Sequence, residues 1–144
     1  MKVHIGISLT DGDNMTWEEG QRPYSRMQTH GWTDSVEEHQ ALGSHANKSR
    51  WSAGGYGWDA QTSVLDHEEV GDLPETLFVV IYSSGVWYSE SQGRTLYGGS
   101  HGSWGVQAAF VDREKAETFV KTETKKWLWL WVSEVKRFVP TSAS

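Results

Sequence analysis

The sequence predicts an α+β fold of two layers, with one helix packed on a mainly antiparallel sheet of about four strands, in a single domain over residues 1–144. Three observations predict this class. Residues 2–9 alternate apolar and polar side chains, as a half-buried strand does. Residues 76–83, TLFVVIYS, are apolar on both faces, which is typical of a central covered strand. Residues 112–125 begin with a capping aspartate and have helical apolar spacing, so a helix follows a third strand over residues 104–110.

The last predicted strand, WLWLWVSEVKRF at residues 127–138, is also apolar on both faces. One face carries Trp127, Trp129 and Trp131, and the other carries Leu128, Leu130 and Val132. The single helix covers only one face of the sheet, and an open face with three tryptophans would promote aggregation. We expect residues 11–75 to fold back over it through Trp17, Trp32, Trp51 or Trp58. Self-association or a foreign partner is the alternative.

Residues 11–75 are predicted to form a long irregular insertion after the first strand, before a ββαβ core over residues 76–139. Glycine, serine, histidine and acidic residues dominate the insertion, and a helical signal is found only from Asp34 to Gly43. Its aromatic side chains predict ordered structure, since disordered segments are poor in aromatics. No internal repeat is visible in the sequence.

The composition excludes several classes of function. The chain has no cysteine, so disulfides, zinc–thiolate centres and thiol nucleophiles are excluded. Residues 1–75 carry 13 acidic and five basic side chains, whereas residues 76–144 carry six and eight. An acidic half repels phosphate backbones, so nucleic acid is not an expected partner. The first residues do not resemble a signal peptide and no apolar run is long enough to cross a membrane, so we expect a cytoplasmic protein with no membrane partner.

No cluster of residues predicts catalysis, a cofactor or a metal. The insertion contains three neighbouring histidines: His30, His39 and His45. On a helix, however, His39 pairs only with Ser35 and Gly43, neither of which is a ligand. DGDN at residues 11–14 lacks the later ligands and the glycine of a calcium loop. His101-Gly102-Ser103 is only one half of a paired phosphoesterase signature, and one half does not form a site. We therefore predict no catalytic residue, no cofactor and no metal ligand.

Two glycine-rich stretches, at residues 53–59 and 97–105, place aromatic rings beside glycines. Such stretches allow a flat ligand, such as a sugar or a nucleotide, to approach the backbone while rings stack on it. A ligand site of this kind would use Tyr97, His101 and Trp104. The favoured interpretation is that these are tight turns whose rings fill the core.

The second half of the chain also carries a resemblance. LFVVIYSSG, a glycine-rich stretch, GVQAAFVDREKAETFVK and a closing aromatic strand resemble small uncharacterised accessory proteins of actinobacterial phages, of the mycobacteriophage type, over about residues 76–137. The shared theme is a strand, then G-x-F-x-D-x-E-x-A leading into a helix, then a strand, and Ala109 departs from this signature. The resemblance implies a phage-encoded accessory protein in the cytoplasm of a bacterial host. It brings no catalytic residues.

We therefore expect a non-enzymatic, phage-encoded accessory protein that binds a host or defence-system protein and modulates it. Acidic inhibitors steer onto basic surfaces and anchor with aromatic residues. The predicted contact residues are Trp32, Glu37, Trp51, Tyr56 and Trp58. The alternatives are a small-ligand binding protein or sponge for nucleotides or sugars, and a minor virion or self-assembling structural protein.

Overall fold

The computed structural model describes residues 1–9, 16–18, 27–53, 56–68, 71–83, 86–89, 93–98, 104–123 and 129–140. These residues form nine strands and two helices. The strands are β1 (Lys2–Leu9), β2 (Thr16–Glu18), β3 (Met27–Thr33), β4 (Tyr56–Ser63), β5 (Thr76–Ser83), β6 (Val86–Ser89), β7 (Arg94–Gly98), β8 (Trp104–Phe110) and β9 (Trp129–Lys136). The helices are α1 (Val36–Ala53) and α2 (Arg113–Thr122).

The strands form three antiparallel sheets of three strands each, in the orders β3-β1-β4, β8-β5-β9 and β2-β7-β6. The α+β class is therefore confirmed, and two details of the prediction are corrected. The predicted sheet of about four strands is replaced by two three-stranded sheets, with a smaller third one beside them. The chain also has a second helix, α1. The segment expected to be irregular contains this helix together with β3 and β4.

The chain contains an internal repeat of topology. The first module consists of β1, β3, α1 and β4, and the second consists of β5, β8, α2 and β9. In each module the first strand lies in the centre, the second pairs on one edge, and the helix leads to a third strand on the other edge. The connection between β1 and β3 contains β2, and the connection between β5 and β8 contains β6 and β7. β7 pairs with both β2 and β6. The repeat was invisible in the sequence because the modules share topology rather than residues.

The register of the two modules is the same. A bulge interrupts pairing between Gly6 and Ile7 of β1 and between Val80 and Ile81 of β5. The other edge pairs without a break in both modules. The modules are joined by two matching parallel contacts, in which the Phe138 N–H donates to the Trp32 carbonyl at 2.8 Å and the Leu65 N–H donates to the Ala109 carbonyl at 2.9 Å. The paired strand positions of one module therefore have defined equivalents in the other.

The core lies between the inner faces of the two main sheets. β1 contributes Val3, Ile5 and Ile7, and β5 contributes Leu77, Val79 and Ile81. Trp32 and Trp131 complete this layer. Trp32, from the segment predicted to fold back over the sheet, thus packs in the same buried cluster as Trp131. The outer face of the second sheet packs Phe78, Leu130 and Val132 against α2.

The helices begin at capping side chains. The Asp112 carboxylate accepts the Glu114 N–H at 2.8 Å, which confirms the predicted cap of α2. Ser35, rather than Asp34, caps α1 and accepts the Glu38 N–H at 3.3 Å. Among the residues described above, neither helix is long and apolar enough to cross a membrane.

Candidate metal centre

The outer face of the first sheet carries polar side chains under α1. Alternation along β1 directs His4, Gly6 and Ser8 away from the core. Asp59 of β4 pairs with Gly6 and shares this face. His39 lies in the second turn of α1, where its N–H closes the first helical hydrogen bond to the Ser35 carbonyl at 3.1 Å. Three elements distant in sequence therefore bring two imidazoles and one carboxylate together.

These three side chains form a compact set of ligand atoms. One ligand atom from each of His4, His39 and Asp59 lies within 4.8 Å of the other two. The His39 Nε2 contacts the Asp59 Oδ2, and the His4 Nδ1 lies 3.6 Å from the same oxygen. The two imidazoles stack with their centroids 3.8 Å apart. Ligand atoms around a tetrahedral zinc ion are separated by roughly 3.3 Å, so small side-chain rotations would place all three on one ion.

The cluster is partly shielded from solvent. The side chains of His4 and Asp59 are 21% and 17% exposed, and that of His39 is 42% exposed. The His4 Nδ1 atom is buried without a hydrogen-bonding partner among the described residues. The Asp59 Oδ2 atom is also buried, and it contacts the His39 Nε2. Leaving a buried polar atom unsatisfied costs about 1–3 kcal/mol, so a native structure that keeps the His4 Nδ1 in this state calls for a reason.

Burial keeps His4 in the form that binds metal. The pKa of His4 is lowered from its ordinary value, first by burial and then by the nearby His39, while the Asp59 carboxylate opposes the shift. Its imidazole therefore holds a free lone pair at neutral pH. Metal binding requires this form, since a protonated imidazole has no lone pair to donate.

Two more histidines, His30 and His45, lie on the other side of Leu42 of α1. A hydrogen bond of 2.6 Å joins the Ser8 Oγ and the His30 Nε2, and the rings of His30 and His45 meet edge to face at 4.9 Å. Leu42 separates this pair from His4 and His39, and a Cβ on Gly6 would lie 2.6 Å from the Leu42 Cδ1. Glycine at position 6 therefore lets α1 approach the sheet closely enough for the histidines to meet.

The second module shows that the fold does not require this polar layer. By register, His4 is equivalent to Phe78 and Asp59 is equivalent to Val132. His39 is equivalent to Ala116, whose N–H closes the first helical hydrogen bond of α2 at 3.2 Å. In the second module the three positions belong to an apolar cluster. The same helix packs on the same sheet with no ligand atoms, so the polar set in the first module is an addition to the fold.

The structure places the residues predicted for partner binding as follows. Trp32 is completely buried, and its Nε1 donates to the Glu75 carbonyl at 2.9 Å. Its prediction as a contact residue is corrected, because a ring in the core cannot meet a partner. Glu37 is exposed in the first turn of α1. Trp51 belongs to α1, and Tyr56 and Trp58 belong to β4, but their side chains lie outside the described part of the structure.

Two of the predicted ligand residues belong to different sheets. Tyr97 pairs with Trp17 in the sheet β2-β7-β6, and Trp104 begins β8, with both side chains outside the described part. His101 lies outside the described residues. The sequence did not predict His4, His39 and Asp59 as a set, since residues from two strands and a helix meet only in the folded chain. The available signal was the position of His4 on the polar face of the first predicted strand.

Comparison of the chain with protein-family models, with curated proteins and with solved structures found no match. The function is therefore argued from the geometry of the site.

Proposed function

We propose that the protein binds a divalent transition-metal ion through His4, His39 and Asp59. The observation that carries this proposal is the difference between the two modules, since Phe78, Ala116 and Val132 serve the same packing role without any ligand atom. A helix–sheet interface favours apolar side chains, because burying unpaired polar atoms there lowers the free energy of unfolding. Three ligand-type side chains gathered at one point are best explained by an ion.

The donor set indicates the class of metal. Two imidazole nitrogens and one carboxylate suit Zn²⁺, Fe²⁺, Co²⁺ or Ni²⁺, whereas Ca²⁺ and Mg²⁺ prefer oxygen ligands. Zinc is our first choice, as three protein ligands are typical of zinc sites that keep one position open for water or another molecule. The partial exposure of His39 gives an incoming ligand access to that position.

The test is metal titration of untagged protein by isothermal calorimetry, after removal of metal with a chelator and dialysis. We expect one Zn²⁺ to bind per chain, and His39→Ala to weaken binding by roughly 100-fold or more, since even indirect partners of a metal ligand contribute 10–100-fold. The matched control is His67→Gln, which changes a histidine in a surface turn whose Nε2 lies 3.3 Å from the Gly71 carbonyl oxygen. Absence of zinc binding, or equal weakening by both substitutions, would sink the proposal.

A second function, binding to a host or defence-system protein as a phage-encoded accessory protein, is supported by a separate observation. Val36 is 89% exposed in the first turn of α1, next to the exposed Glu37. An apolar anchor beside acidic charge suits a basic partner surface. The resemblance to phage proteins supports the same proposal. Native mass spectrometry of protein taken from a bacterial host would test it, with the complex expected to be lost in Val36→Asp and retained in Leu65→Asp, another exposed apolar position.

A further inference from the structure

A cavity of about 530 Å³ opens where β3 and α1 meet the end of β9, on the far side of Leu42 from the candidate metal centre. Its walls include His30, His45, Lys136 and Phe138. The volume falls within the range of small-molecule sites, about 300–1,000 Å³. The exposed side chain of Val139 adds an apolar rim.

Two charged groups of the cavity are paired within the protein. The Arg137 guanidinium donates to Asp34 at 2.9 Å and lies 4.9 Å over the ring of Trp32. The Glu134 carboxylate accepts from Arg113 at 2.9 Å. The walls also carry the ionisable side chains of His30, His45 and Lys136. Each is either a cation or becomes one on protonation.

A second cavity, of about 290 Å³, lies where β8 of the second module meets the end of β4 and supplies an internal reference. It is lined by Lys2, Gln61, Thr62, Ser63, Leu65 and Gln107. Register makes Gln107 equivalent to His30, since both are the extra residue of a bulge, makes Ser63 equivalent to Lys136 and makes Gln61 equivalent to Glu134. Leu65 stands where Phe138 stands, as both donate the matching inter-module hydrogen bond. The first cavity is therefore larger and has an aromatic wall, and it carries His30, Lys136 and the Arg113-paired Glu134 where the second cavity has neutral side chains.

We propose that this cavity binds a small molecule that carries a phosphate or a similar oxyanion, with the oxyanion between His30, His45 and Lys136 and a flat apolar group against Phe138. Bulges redirect side chains and are frequent beside functional sites, and His30 is the bulge residue of β3. The Phe138 ring lies 5.7 Å from that of His45, so aromatic and cationic groups face one ligand volume. Charge-assisted hydrogen bonds from imidazolium and ammonium groups to oxyanions are among the strongest available to a protein.

The pKa of His30 gives oxyanion binding a pH dependence. It is lowered first by burial and then by the neighbouring His45, and a bound oxyanion would offset these effects by stabilising the charged form of His30. Ser8 from β1 and His45 from α1 contact His30, and Glu134, Lys136 and Arg137, at the end of β9, line the same cavity. Anion binding should therefore strengthen as the pH falls below the ordinary pKa of histidine, about 6.5.

The experiment titrates metal-free protein with phenyl phosphate and with inorganic phosphate, following the histidine ring signals by NMR up to about 20 mM ligand, a range that detects millimolar affinity. We expect the signals of His30 and His45 to move, and phenyl phosphate to bind more tightly than phosphate. His30→Gln, which copies the equivalent residue, and the exposed Lys136→Gln should each weaken binding roughly tenfold, the worth of one charge-assisted hydrogen bond. Lys2→Gln, in the smaller equivalent cavity, is the matched control and should leave binding unchanged.

The same titration in His39→Ala separates this proposal from metal binding, because that variant should lose zinc and retain phenyl phosphate. No movement of the His30 and His45 signals would overturn the proposal. So would equal weakening by Lys2→Gln and Lys136→Gln, which indicates a diffuse charge effect. Equal affinity for the two ligands would overturn the assignment of Phe138 as a ligand wall.

Discussion

His4 and Phe78 occupy equivalent positions on the outer faces of β1 and β5, yet His4 faces a carboxylate while Phe78 packs in an apolar cluster. Each of these residues lies under a helix. The first hydrogen bond of that helix is donated by the His39 N–H in the first module and by the Ala116 N–H in the second. The second module therefore acts as a reference for the first, and a difference between them indicates what the fold alone does not need. The predictions below use that reference or the contacts around it.

Replacing His4 and Asp59 by the residues of the second module, in His4→Phe/Asp59→Val, should stabilise the metal-free protein. The change removes the buried His4 Nδ1, which lacks a hydrogen-bonding partner among the described residues, and the Asp59 carboxylate, whose contact His39 is partly exposed to solvent. We expect the free energy of unfolding to rise by about 1–3 kcal/mol, measured by urea denaturation, while zinc binding is lost. The control is Asp59→Asn alone, which keeps a polar group in the same place and should not stabilise. A less stable double variant would mean that the cluster itself holds α1 on the sheet.

Hydrophobic periodicity explains which parts of the fold the sequence predicted. β1, β5, β8, α2 and β9 were recognised because their apolar side chains follow strand or helix periods. The predicted alternation of the last strand is confirmed for the residues described, with Trp131 in the central core and Leu130 and Val132 against α2.

β3, α1 and β4 were missed beyond a short helix because polar residues occupy positions that the second module fills with apolar ones. His39 stands where the second module has Ala116, Asp59 where it has Val132, and Thr33 where it has Phe110. These changes weaken the hydrophobic period by which helices and strands are recognised. The polar residues of the candidate site thus also weaken the pattern by which its strands and helix are predicted. Which of these residues meet depends on pairing between strands, and no local sequence pattern shows that pairing.

Gly31 should tolerate alanine less well than Gly71. Both have positive φ, 136° and 115°, so alanine is strained at either position. A Cβ at position 31 would also lie 2.8 Å from the Phe138 Cβ and 3.0 Å from its Cα, whereas nothing lies within 4 Å at position 71. Because backbone atoms cannot rotate away, the clash adds to the strain.

We expect Gly71→Ala to lower the free energy of unfolding by about 1 kcal/mol and Gly31→Ala by about 2–4 kcal/mol, measured by urea denaturation. Gly31→Ala should also weaken phenyl phosphate binding, since it displaces Phe138. Equal losses of stability at the two positions would show that the segment after β9 moves away freely, contrary to its hydrogen bond with Trp32.

Stability of the metal-free protein should fall as the pH is lowered through the histidine range. The pKa values of His4 and His30 are lowered below 6.5 in the folded protein, in both cases chiefly by burial. Below 6.5 the unfolded chain therefore binds more protons at these two sites than the folded chain does, and proton uptake favours unfolding. Their contribution to stability is complete above the unfolded pKa and is lost as the pH falls from there through the folded pKa. We expect a smaller free energy of unfolding at about pH 5.5 than at about pH 7.5, a range that lies above the titration of ordinary carboxyl groups.

The difference between the two pH values should shrink in His4→Phe and again in His4→Phe/His30→Gln, because each substitution removes one group with a lowered pKa. Zinc should enlarge the difference in the wild type, since protons compete with the metal for the imidazoles, and should not affect it in His4→Phe. Urea denaturation with and without zinc measures both effects. If the wild type is equally stable at the two pH values without metal, His4 and His30 are not held neutral by burial, and the support that a neutral His4 gives to the proposed metal site is removed.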